Sequence, residues 1–104
     1  MSVEQTLLKE VEDSKMWYDR EKDDSTYKRD LVKRIELINW VLENMKNPDA
    51  QICDRIESRM SDIFLKINQT HSIFDADKLH SELRILDWIF FQVCSNEIKK
   101  FERS

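Results

Sequence analysis

Apolar residues recur along this chain at helical spacing, and clusters of polar, turn-forming residues interrupt them three times. Leu7, Leu8, Val11 and Tyr18 form the first stripe, with Val3 at its entrance and Lys15 at its edge. Ser2 and Gln5 precede it at capping-box spacing, in which the serine side chain accepts from an orphan amide and the glutamine side chain reaches back to the serine amide. A helix over about 2–22 follows. Asp23, Asp24 and Ser25 then favour a turn, since their short polar side chains compete for local backbone groups. Phase supports the break. The thirteen residues from Tyr18 to Leu31, at about 100° each, would put the two stripes on opposite sides of one continuous helix.

The second helix, over about 26–46, carries Tyr27, Leu31, Ile35, Ile38, Leu42 and Met45 at spacings of four and three, a bundle-type seam. Asn47, Pro48 and Asp49 read as the next start: a cap, a proline where no amide is needed, and an acid in the first turn. Helix three, about 48–68, then presents Ile52, Ile56, Met60, Ile63 and Ile67. A short loop offers Ser72 or Asp75 as the cap of helix four, about 75–102, with Ile73 and Phe74 covering the end of the core. Short connections make neighbours antiparallel. The pattern therefore predicts an all-α, up-down four-helix bundle forming a single domain over 1–104, with helices two and four diagonal to each other.

The segment LRILDWIFFQVC, residues 83–94, holds more apolar side chains than one buried face requires. Leu79, Leu83, Leu86, Phe90, Val93 and Phe101 form the core stripe, flanked by Ile89 and Cys94. Trp88 and Phe91 fall in the opposite sector, among Asp77, His80, Arg84 and Asp87, and Ile85 bridges them toward the core. Trp40 repeats the pattern on helix two, opposite its seam and among Arg29, Lys33, Glu36 and Asn44. One explanation is that the rings lie over seams between helices. The preferred one for Trp88 with Phe91 is an outward contact surface, built from Trp88, Phe91, Ile85, Arg84 and Trp40, because exposed tryptophan and arginine are enriched where proteins bind.

Composition narrows the functional classes. The 104 residues include no glycine and one proline, which excludes a phosphate-cradling or dinucleotide-binding glycine loop. A net charge of -4 weighs against generic nucleic-acid binding. Lys28, Arg29, Lys33 and Arg34 nevertheless make a basic face on helix two, extended by Lys46, so a small dimeric nucleic-acid-binding regulator is the alternative function. No apolar run is long enough to span a bilayer, and the polar amphipathic start lacks a signal-peptide core, so a cytoplasmic location is expected. Cys53 and Cys94 are then expected as reduced, small hydrophobic residues. If helices three and four form a hairpin about Ser72, however, the two thiols stand at similar heights and a redox-sensitive disulfide is geometrically allowed.

Candidate chemistry is sparse. His71 and His80 lack the Glu-x-x-His spacing of di-iron bundles, and Arg84 lies one turn beyond the Asp77/His80 pair, where a cation repels a metal. Glu97 falls on the core stripe near the end of helix four, placed for an ion pair with Lys15, Arg55 or Arg59. No catalytic constellation, metal set or cofactor motif appears. The reading is a non-enzymatic interaction module, an assembly subunit, adaptor or regulator, with a protein partner and self-association as a dimer.

Overall fold

The computed structural model describes residues 2–22, 26–47 and 51–102, with side chains to Cys94. The expected turn at Asp23 to Ser25, the start at Pro48 and Asp49, and the side chains of Glu97 and Phe101 lie outside the described residues. Four helices account for nearly all the rest: α1 (Val3–Arg20), α2 (Thr26–Met45), α3 (Ile52–Gln69) and α4 (Ile73–Glu102). The fold is an all-α four-helix bundle.

The helix boundaries follow local chemistry. Gln5 N donates to Ser2 Oγ at 3.1 Å and Ser2 N donates to Gln5 Oε1 at 3.2 Å, so the capping box opens α1. At α4 the Ser72 hydroxyl accepts from Asp75 N at 3.3 Å, which starts the helix at Ile73. That start carries Ile73 and Phe74 into an exposed first turn, 83% and 58% accessible, where they do not cover the core. Helix three also begins later than its proline suggests. Gln51 has a left-handed backbone, φ 49°, which a helix cannot continue through, so α3 starts at Ile52.

The helices pair as two antiparallel hairpins, α1 with α2 and α3 with α4. Arg34 on α2 reaches Glu10 on α1 at 2.7 Å, and Arg59 on α3 reaches Glu82 on α4 at 3.4 Å. The main contact between hairpins is α2 against α4, and among the described residues no Cα of α1 lies within 8 Å of one in α3. The diagonal expected to separate α2 from α4 is thus closed, giving a sheared bundle of 47 × 34 × 24 Å rather than a square one. α2 and α4 run in the same direction there, with Ser81 Oγ donating to Asp30 Oδ2 at 3.5 Å near their starts.

That contact explains the width of the buried faces. On α2, Leu37 and Val41 join Leu31 and Ile38 in the core, while Tyr27 at the start of the expected seam is exposed. On α4, Ile85, Leu86 and Ile89 form the buried centre, and Leu79, Leu83, Phe90 and Val93 pack along its edge. A helix that touches several neighbours must bury more than one stripe. Ile85 is therefore core and not a bridge to an outer surface, which corrects its place in the expected interface. On α1 only Leu7, Val11 and Ser14 are buried, whereas Leu8 and Tyr18 face solvent. Helix three keeps its predicted seam: Ile56 and Ile63 are buried, and Ile52, Met60 and Ile67 pack beside them.

Candidate functional site

The three tryptophans separate by environment. Trp40 and Trp88 are half-buried against the core, as rings over helix seams are, rather than projecting outward. The Arg59 guanidinium lies 4.8 Å from the centre of the Trp40 ring, a cation-π contact that ties α2 to α3. Trp17, which periodicity did not single out, is the most exposed of the three, with Arg20 5.5 Å above its ring.

Phe91 and Arg84 do face solvent, on the outer side of α4. Beside them runs an apolar groove of about 630 Å³ between α3 and α4, lined by Met60, Phe64, Leu65 and Leu83 with Arg84 and Asp87 at its polar edge. Phe64 and Leu65 are each 57% accessible and Phe91 is 63% accessible. Phe91 sits one turn beyond Asp87 on the same helix face. Exposed aromatic side chains lie on both hairpins, Trp17, Tyr18 and Tyr27 on α1 and α2 and Phe64 and Phe91 on α3 and α4, and it is Phe64 and Leu65, rather than Trp40 and Ile85, that stand near Phe91 beside an apolar groove. The sequence signal for them was the run Ile63-Phe64-Leu65, whose second and third members cannot share the buried stripe with the first.

The basic face of α2 is engaged within the chain. Lys28 Nζ lies 4.4 Å from the Tyr18 ring and donates to the Glu21 carbonyl at 3.4 Å. Arg29 lies 4.9 Å from the Phe74 ring, Lys33 pairs with Glu36 at 3.4 Å, and Arg34 pairs with Glu10. Arg29 and Lys33 also border a cleft of about 600 Å³ near the α3/α4 turn, together with Lys66 and Lys78. Asp30, Asp75 and Glu82 line the same cleft, so its charge is mixed and it lacks the one-sided field that phosphate neutralisation uses.

Cys53 and Cys94 are joined by a disulfide, with Cα atoms 6.1 Å apart. The expectation of two separate reduced thiols is corrected by the hairpin register, which brings the first turn of α3 level with this part of α4. Among the described residues no three His, Cys, Asp or Glu side chains are grouped to hold a metal ion, and no helix is long and apolar enough to cross a membrane. Comparison with protein-family models, curated proteins and solved structures found no match.

Proposed function

We propose that this chain is a non-enzymatic protein-protein interaction module whose contact surface is the outer face of the α3/α4 hairpin. The observation that carries this reading is the groove between Phe64, Leu65 and Leu83, continued by exposed Phe91 and edged by Arg84 and Asp87. Large apolar side chains gathered on one outer face, with a charged rim, have the layout of an interface core rather than of scattered surface residues. A partner helix or a second hairpin laid into such a groove removes the rings from water. The module acts as an assembly subunit, adaptor or regulator in the cytoplasm.

The test is site-specific photo-crosslinking in the native host, with a photoreactive phenylalanine at Leu65 in the groove and, as control, at exposed Glu12 on α1. Protein adducts at Leu65 that are missing at Glu12 and lost on Phe91→Asp support the reading. Equal or no protein adducts at the two positions contradict it.

A further inference from the structure

We infer that the occupant of the α3/α4 groove is a second copy of this chain, docked about a twofold axis that sets Arg84 of each copy against Asp87 of the other. This rests on the interaction-module reading and names its partner. Arg84 and Asp87 are three residues apart on α4, both exposed, and both at the edge of the groove. Among the described residues neither is in an ion pair, although pairs at the same or similar spacing do form elsewhere, as in Lys33–Glu36 and Lys9–Asp13. The groove therefore carries one cation and one anion that are both available for intermolecular pairing.

A twofold contact uses the same patch twice and reverses the order of residues across the axis. With the axis between residues 84 and 87 and the two α4 helices antiparallel, each cation meets the other copy's anion. A patch of a single sign would repel its own copy; a neighbouring pair of opposite signs is self-complementary. The same operation handles the aromatic side chain. Side chains lean toward the N-terminus of their helix, so the Phe91 ring lies over the turn between itself and Asp87. The axis carries that ring toward the other copy's Leu83 and Phe64, where the groove is apolar. Both apolar and charged parts of the face are thereby satisfied by one symmetric arrangement.

The experiment is sedimentation equilibrium of the full chain and of Arg84→Asp, Asp87→Arg and the Arg84→Asp/Asp87→Arg exchange, with circular dichroism confirming that each stays helical. Each single change puts two like-charged pairs across the axis and raises the dimer Kd by about tenfold or more. The exchange restores opposite charges and returns the Kd to within about threefold of the original. A monomeric wild type, a dimer indifferent to the single changes, or an exchange as weak as the singles overturns the inference. A monomeric wild type whose Leu65 position still cross-links to a different protein overturns only the identity of the occupant; one without any protein adduct removes the interaction-module reading as well.

Discussion

Cys53, the second residue of α3, is bonded to Cys94, a buried residue in the C-terminal third of α4, across 41 positions of sequence. The bond closes the open end of the α3/α4 hairpin, opposite the Thr70–Ser72 connection. The face that carries Phe64, Leu65 and Phe91 is thus held at both ends, by a turn and by a covalent link.

Reducing that bond releases the unfolded chain from a closed loop. In the chain-entropy picture a loop of this length is worth about 4 kcal/mol. Urea unfolding with and without reductant, or of Cys53→Ser/Cys94→Ser, is expected to show a loss of about 2–4 kcal/mol with the helical signal retained in the absence of urea. No change in midpoint would mean that the link adds nothing to the packing between α3 and α4.

The left-handed backbone at Gln51 predicts a gain from glycine. A side chain at φ 49° crowds the following carbonyl, and the helix that starts there has no side-chain cap on it. Gln51→Gly removes that crowding and is expected to raise stability by about 0.5–1 kcal/mol, offset in part by the entropy of glycine in the unfolded chain. A loss of stability on the same substitution would place Gln51 in ordinary helical or extended backbone.

Solvent access to the tryptophans gives a third check. Trp17 is 47% accessible, whereas Trp40 and Trp88 pack against the core. In variants that keep one tryptophan and replace the other two with phenylalanine, iodide or acrylamide is expected to quench Trp17 most strongly. Trp88 quenched as freely as Trp17 would restore it to the outer face of α4.

Much of the fold was legible because helix starts and seams have local causes. Ser2 and Gln5 cap α1 by a contact three residues long, and the isoleucines of α3 keep one face at regular spacing. The functional face was harder to read because a helical wheel assumes one buried stripe for each helix. α4 buries a wide arc against several neighbours, so Ile85 and Trp88, which lie off the single stripe, are covered by another helix. Phe91 remains outside that arc and Arg84 with it. Phe64 and Leu65 lie off the five-residue isoleucine and methionine stripe of α3, so periodicity alone gives them no role. The Cys53–Cys94 bond required the register of α3 on α4, a tertiary quantity that spacing alone leaves open.

The proposed interface gives Phe64 and Phe91 a role in contact and not in folding. Its most direct test is urea unfolding of the wild type and of Phe64→Ser/Phe91→Ser at several protein concentrations. When dilute, the variant should match the wild type to within about 0.5 kcal/mol, as substitutions at exposed positions do. When concentrated, the wild type alone should gain, by about 1.4 kcal/mol of dimer for each tenfold increase once association is complete. A variant that loses more than about 2 kcal/mol when dilute would contradict the account, because the two rings would then belong to the core of the bundle.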